Sequence, residues 1–339
     1  MEVNPGVAVR IADSSAIAQA RRLAADQARQ LNWDDAAVGR AELIATEIAT
    51  NILKHASDGC ISLVRTGPRL QVLAIDRGQG IAEVDAAVTP GFSTAGTRGN
   101  GLPAIRRMAR RFEIVPTRGK GAVVAVELDG VPRMAAPESL QPPSSVGAVS
   151  IARAGEDVCG DTWALRVTGT RMSLLVCDGL GHGAHAAEAS LQARATFLQS
   201  PHGRAAELMD RLHAALRPTR GAAAAIAQYD RSTRSLTFCG IGNISGVIVH
   251  PTAAKHLVSH NGILGHVAGR IAEFAYDWRP GDNLIMHSDG LSGRWRPEDY
   301  PGLWLRSPAA IAGTLYRDFA RDRDDATIAV LRLEGVDAS

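Results

Sequence analysis

The sequence predicts an α+β protein of two domains joined by a linker. Three observations carry this expectation. First, 339 residues are more than one ordinary core serves, because chains divide into domains as they lengthen. Second, 132–146, PRMAAPESLQPPSSV, is rich in Pro, Ser and Ala and shows neither helical nor strand periodicity, which is the composition of a linker. Third, the stretches on both sides of it alternate between the 3.6-residue period of amphipathic helices and the short apolar runs of strands. The expected bounds are 1–131 for the first domain, 132–146 for the linker and 147–336 for the second. No internal repeat relates the two.

Composition excludes several classes of function. With 45% hydrophobic residues, 21% charged residues and a net charge of +2, the chain advertises no broad polyanion-binding surface, so nucleic acid is not an expected partner. It lacks an uninterrupted run of about 18 apolar residues, so no membrane span is expected. The opening MEVNPGVAVRIADSS does not have the charged-then-apolar layout of a signal peptide. Cys60, Cys159, Cys177 and Cys239 form no CxxC pair and read as reduced thiols of a cytoplasmic protein.

The first domain reads as helices over 15–31 and 35–55, strands over 59–65 and 70–76, a loop, a helix over 101–112, and strands over 113–116 and 122–128. Its informative helix is AELIATEIATNILKHA, 41–56, where Ile44, Ile48 and Ile52 form the apolar face. Glu47, Asn51 and His55 make a second stripe of the same spacing and project together. Taken alone that stripe is also what a solvated helix face looks like. Two later segments argue for more. LAIDRGQGI ends a strand on Asp76 and continues through Gly78 and Gly80, and GFSTAGTRGNGLPAIRRMA closes on Gly99 and Gly101 at a helix start. Glycines there let backbone N–H groups approach phosphate oxygens, and a helix N-terminus adds favourable partial charge. A dinucleotide-binding fold fits poorly, because the first glycine pair leads into no helix and the second follows no strand.

Together these segments resemble the GHKL ATP-binding fold, and more closely the small bacterial serine kinases of the RsbT, RsbW and SpoIIAB type, which phosphorylate STAS-domain antagonist proteins. The resemblance covers most of 10–130 and implies an α/β sandwich that binds ATP with Mg²⁺. It implies that Asn51 ligates Mg²⁺, that Asp76 accepts from the adenine amino group, and that Gly78, Gly80, Gly99 and Gly101 shape the pocket and lid. Glu47, one turn before Asn51, takes the place of the general base for a protein serine. One departure is visible: Gly121-Ala122 stands where the family often has Gly-Thr.

In the second domain VCDGLGHGAHAAEAS ends an apolar strand on Asp178-Gly179, ahead of an alanine-rich helix. GEDVCGDTWALRV sets Asp161 at a strand head, GDNLIMHSDGLSGRW repeats the strand-then-Asp-Gly pattern at Asp289-Gly290, and RDRDDATIAVLRL starts a last strand after Asp324-Asp325. Carboxylates at four strand ends converge readily at one sheet edge, repel one another without cations, and as oxygen ligands suit Mg²⁺ or Mn²⁺. Two such ions activate a water for attack on a phosphoserine phosphorus. Bare backbone after Asp178 keeps the approach open to a protein substrate.

This order of words resembles the PPM metal-dependent serine/threonine phosphatases, in the compact SpoIIE, RsbU and RsbX branch, from about 146 to 334, with NGILG (261–265) fitting a loop of that branch. The resemblance implies an αββα sandwich with two Mn²⁺ or Mg²⁺ ions. By position Asp161, Asp178, Gly179, Asp289 and Asp324 form the metal shell, Asp178 and Asp289 being central to catalysis, while Asp325 is a weaker candidate. The phosphate-binding arginine of larger relatives has no secure counterpart; spacing gives Arg153 no support. His182, His185 and Glu188 mimic a metal triad on a helix, but the carboxylates already account for the metals. RAAELMDRLHAALR reads as a packing helix and Cys177 as a core thiol. The whole is expected to be a cytoplasmic partner-switching regulator with opposed kinase and phosphatase activities on STAS-domain antagonist or stressosome proteins, a sigma factor or downstream phosphatase being a further candidate partner. Two rivals remain: a phosphatase whose first domain only senses ATP, and an anti-sigma binding module fused to a phosphatase.

Overall fold

In a computed structural model of the chain, the structure describes residues 2–3, 6–56, 58–81, 101–117, 119–131, 145–250 and 253–333. The chain falls into two compact units: one of 6–143, and one that joins 1–5 to 144–339. The first strand, β1 (Glu2–Val3), belongs to the second of these.

The 6–143 unit contains β2 (Val7–Arg10), α1 (Ser14–Gln30), α2 (Asp35–His55), β3 (Gly59–Thr66), β4 (Arg69–Asp76), α3 (Gly101–Met108), β5 (Arg111–Val115) and β6 (Val123–Leu128). Asp13 and Asp34 cap the two long helices, each carboxylate accepting a backbone N–H of the first turn at 2.7 Å, where four N–H groups otherwise lack partners. The strands form an antiparallel sheet in the order β2-β3-β4-β6-β5. Ile44, Ile48 and Ile52 of α2 are buried in one core with Ile61, Leu63 and Val72 of the sheet and Ile105 of α3. Packing that stripe leaves Glu47 and Asn51 half-buried at the edge of the helix. The helix expected over 101–112 stops at Met108. The reason is a distant one: Arg110 donates its backbone N–H to Glu127 O at 2.8 Å and its Nε to Glu127 Oε1 at 3.0 Å, which turns the chain into β5.

The other unit adds β7 (Val146–Ile151), β8 (Asp161–Thr168), β9 (Arg171–Gly179), α4 (Ala184–Gln199), α5 (Ala205–Ala215), β10 (Ala222–Asp230), β11 (Ser235–Ile241), β12 (Ser245–His250), β13 (Ala253–His256), β14 (Ser259–His260), β15 (Phe274–Tyr276), β16 (Asn283–His287), α6 (Pro308–Phe319) and β17 (Ala326–Arg332). One sheet runs β1-β8-β9-β10-β11-β14 with β15 also on β11, and the other runs β13-β12-β16-β17-β7. Strands β8 and β9 lie against β7 and β17 of the facing sheet. Helices α4 and α5 cover the first sheet through Phe197, Leu208, Met209 and Leu212, and α6 covers β7 and β17 of the second. The result is an αββα sandwich, each layer burying one face of an amphipathic element.

The expected domain bounds shift at two points. Val146, read as linker, is the first residue of β7 and pairs with Leu331. Residues 2–3, read as part of the first domain, pair with β8 instead, Glu2 opposite Arg166 and Val3 opposite Leu165, with Val3 fully buried. The remaining linker residues, 132–144, lie outside the described ones.

Candidate active sites

In the αββα unit the sheet register brings the acids together. Asp161 opens β8 and Asp178 nearly closes β9, and the two stand directly opposite each other. Asp289 follows β16 by two residues, and Asp324 and Asp325 immediately precede the neighbouring strand β17. Two glycines permit the approach. A Cβ on Gly179 would sit 2.0 Å from Ala186 O, and one on Gly290 would sit 1.9 Å from Asp325 O. The bare backbone after Asp178 therefore has a packing reason as well: α4 closes onto it.

Each acid has a distinct setting. Asp161 is buried, accepts from Ser288 Oγ at 2.6 Å, and keeps its Oδ1 buried without a donor among the described residues. Burial, then the charge of Asp178, holds its carboxyl well above the usual carboxylate range. Asp178 is pushed up to about 7, first by burial and next by the charge of Asp289. The two carboxyls are cross-strand neighbours, and when ionised they repel each other. Asp324 is raised by burial and by Asp289, and Arg153 pulls it the other way. Asp289 accepts from Asn243 Nδ2 at 2.7 Å. Asp325 behaves differently: its oxygens accept from Arg153 N at 2.9 Å and Gly160 N at 3.0 Å. It clamps the loop before β8, while the other four acids face one another.

An unpaired carboxylate oxygen in a buried, self-repelling acidic cluster is costly unless a cation or proton compensates it. The all-oxygen donor set suits hard divalent ions. Among the described residues, no three His, Cys, Asp or Glu side chains gather closely enough around one point to hold an ion as they stand. The donor chemistry and the unpartnered Asp161 Oδ1 suit Mg²⁺ or Mn²⁺.

In the 6–143 unit, Glu47 and Asn51 meet the start of α3. A Cβ on Gly101 would lie 2.9 Å from Glu47 Oε2 and 3.8 Å from Asn51 Nδ2, so the N-terminus of that helix stands close to both side chains. His55, the third member of the stripe, is exposed, and it is the backbone that counts there: a Cβ on Gly78 would meet His55 O at 2.5 Å. At the end of β4, Asp76 Oδ1 accepts from Gly78 N at 2.8 Å and Ala122 N at 3.2 Å. Gly121-Ala122, the departure noted above, thus supports Asp76 through its backbone. Gly80 adopts φ +75° against Thr117 O. Gly99 lies outside the described residues.

Two family models match the chain: the histidine kinase-like ATPase domain over 11–128 and stage II sporulation protein E (SpoIIE) over 168–334. The serine/threonine-protein kinase RsbT of Bacillus subtilis (strain 168) is 30% identical over 126 residues, 36% of this chain and 95% of RsbT. The phosphoserine phosphatase RsbX of the same organism is 25% identical over 141 residues, 41% of this chain and 70% of RsbX. A chain from a structural study of the bacterial stressosome, described there as a modular system adapted to control secondary messenger signalling, superposes with a TM-score of 0.52. It is 28% identical over 56% of this chain and 98% of its own length. The 6–143 unit belongs to the family of RsbT, and the other unit is similar to SpoIIE over 168–334.

Within the SpoIIE-type unit the tempting triad dissolves. His182 precedes α4 and binds Glu156 Oε1 through Nδ1 at 2.7 Å, while the exposed His185 leans toward Glu188 at 3.8 Å. Helix α5 is a packing element, and Cys177 is fully buried, its thiol held far above the usual range by burial. Sequence reading missed Ser288 and Asn243. Ser288 was adjacent to a motif acid, and the Ser-Asp-Gly order is a signal for it. Asn243 arrives from the β11–β12 turn and carries no local signal.

Proposed function

We propose that the chain is a bifunctional partner-switching regulator. Its RsbT-family unit transfers the γ-phosphoryl of ATP to a serine of a STAS-domain or stressosome protein, and its SpoIIE-type unit hydrolyses that phosphoserine. The observation that carries the reading is the face-to-face pair Asp161 and Asp178 with Asp289 and Asp324 alongside, in one chain with Glu47 and Asn51 gathered at Gly101.

In the phosphatase unit Asp161, Asp178, Asp289, Asp324 and the Gly179 carbonyl would hold two Mg²⁺ or Mn²⁺ ions, which supply charge neutralisation and an activated water when bound. Ser288 and Asn243 fix two of the carboxylates by donating to them, and Asp325 fixes the loop that carries Asp161. In the kinase unit Asn51 would hold Mg²⁺ on the ATP phosphates, Asp76 the adenine, and Gly78, Gly80, Gly99 and Gly101 the pocket walls. Glu47 accepts the serine proton as phosphoryl transfer begins. No described helix is long and apolar enough to cross a membrane, which supports a cytoplasmic setting.

The test is hydrolysis of an aryl phosphate and of a phosphoserine protein in Mn²⁺. Asp178→Asn should lower turnover of both by roughly 10²-fold or more, the scale of losing one charge-stabilising group, with ATP binding unchanged, and a chelator should silence the wild type. Near-normal turnover of the variant in Mn²⁺ sinks the assignment.

A further inference from the structure

Arg220, a cation near the acidic cluster, has no side-chain partner among the described residues. Gly181, three residues beyond Asp178, adopts φ +94°, and a Cβ there would lie 3.4 Å from Arg220 Nη1. Arg220 is exposed, and its guanidinium makes no hydrogen bond or ion pair with any described residue. Its backbone, by contrast, is held firmly. Arg220 O binds His266 Nε2 at 3.0 Å, and Gly221 O accepts Leu180 N at 3.0 Å. Ala222 and Leu264 exchange backbone hydrogen bonds of 3.2 and 2.8 Å. Thr219 Oγ1 closes the preceding turn onto Leu216 O at 2.7 Å. Gly221, at φ +81°, fits only without a side chain, since a Cβ would meet Leu264 O at 2.5 Å and Ile263 Cγ2 at 2.8 Å. A rigid base with a free charged tip is how a protein prepares a ligand contact at low entropic cost.

The same loops expose apolar side chains. Leu180 is 48% exposed, Ile263 36% and Val267 75%, and Ile263 N donates to Val267 O at 2.8 Å across the tip of the 261–267 loop. Leu180, Arg220, Ile263 and Val267 therefore form one surface that begins at the acid-bearing turn. The charge pattern selects its occupant. A phosphoserine dianion is repelled by carboxylates and needs a cation beside them, and a polypeptide around that serine needs an apolar seat.

Resting on the phosphatase reading above, we propose that Arg220 and the Leu180–Ile263–Val267 surface dock the phosphoserine-bearing segment of the protein substrate. Arg220 binds a phosphate oxygen turned away from the carboxylates, and the apolar side chains receive aliphatic residues that flank the serine. Arg220 is a substrate-binding residue, and the other three set specificity.

The experiment uses the full chain in Mn²⁺ with two probes: para-nitrophenyl phosphate and a synthetic phosphoserine peptide with leucines on both sides of the serine. Arg220→Gln should raise KM for both by roughly tenfold, the worth of one hydrogen bond to a charged group, with kcat changed much less and the melting temperature retained. Arg220→Lys should restore part of the loss. Ile263→Ser and Leu180→Ser should raise KM for the peptide alone. Unchanged peptide KM in Arg220→Gln overturns the Arg220 contact, and equal effects of the serine variants on both probes overturn the apolar seat. If the wild type hydrolyses neither probe, the phosphatase reading is what fails. Fluorescence anisotropy of the labelled peptide on the same variants then decides the docking surface, with unchanged affinity in Arg220→Gln overturning it.

Discussion

Asp178 sits where an aspartate costs the fold something when ionised. Burial and the charge of Asp289 push its carboxyl up to about 7 from an ordinary 3.8. A raised carboxyl pKa favours the protonated folded state, so this contribution to stability is complete below the ordinary pKa and is lost as pH rises through about 7. The chelator-treated chain should accordingly melt at a lower temperature at pH 8 than at pH 5. Asp178→Asn should reduce that difference, and Mn²⁺ should raise the pH 8 value of the wild type. A pH dependence identical in wild type and variant, followed by thermal melting, would contradict the electrostatic account of the cluster. At this scale the acids were legible, because an Asp-Gly after an apolar run is a strand end with a bare approach. Asp325 was legible as a position and not as a role: only the fold shows both its oxygens engaged by Arg153 N and Gly160 N.

At the scale of elements, α2 presents two adjacent stripes, one apolar and one bearing Glu47 and Asn51, for which we propose a catalytic role. Its apolar stripe fixes the helix on the sheet, and this fixes where Glu47 and Asn51 stand relative to α3. Their roles separate experimentally. Asn51→Ala should weaken Mg·ATP binding and phosphoryl transfer together. Glu47→Gln should bind Mg·ATP almost normally and transfer phosphate roughly 10²–10⁴-fold more slowly, the usual worth of a general base. Equal losses of binding and transfer in Glu47→Gln, read by nucleotide binding and single-turnover labelling, would assign Glu47 to binding. Helix α2 was readable over 35–55, since its isoleucines repeat every fourth residue, and Asp34 caps it in the structure. The end of α3 was not, because a hydrogen bond to Glu127 decides it. Strand β2 was too short to announce itself by alternation.

At the scale of the whole chain, two residues from the N-terminus complete the sheet of the other unit. No local pattern reveals this, since β1 is two residues long and pairs with a strand more than 160 positions away. We propose that the units fold separately. A fragment of 6–131 should bind Mg·ATP, and one of 145–339 should hydrolyse an aryl phosphate yet melt below the intact chain, because β8 loses its edge partner. An insoluble 6–131 fragment would make the two units interdependent.

Whether opposed activities share one chain can be measured directly. The full chain is incubated with γ-labelled ATP, Mg²⁺, Mn²⁺ and a STAS-domain antagonist protein from the same cell, and phosphoserine on that protein is followed in time. The Asp178→Asn chain should accumulate label on a serine, and added wild-type chain should remove it. An Asp178→Asn chain that binds ATP and labels no STAS-domain protein would contradict the claim, and so would label that the wild type leaves in place.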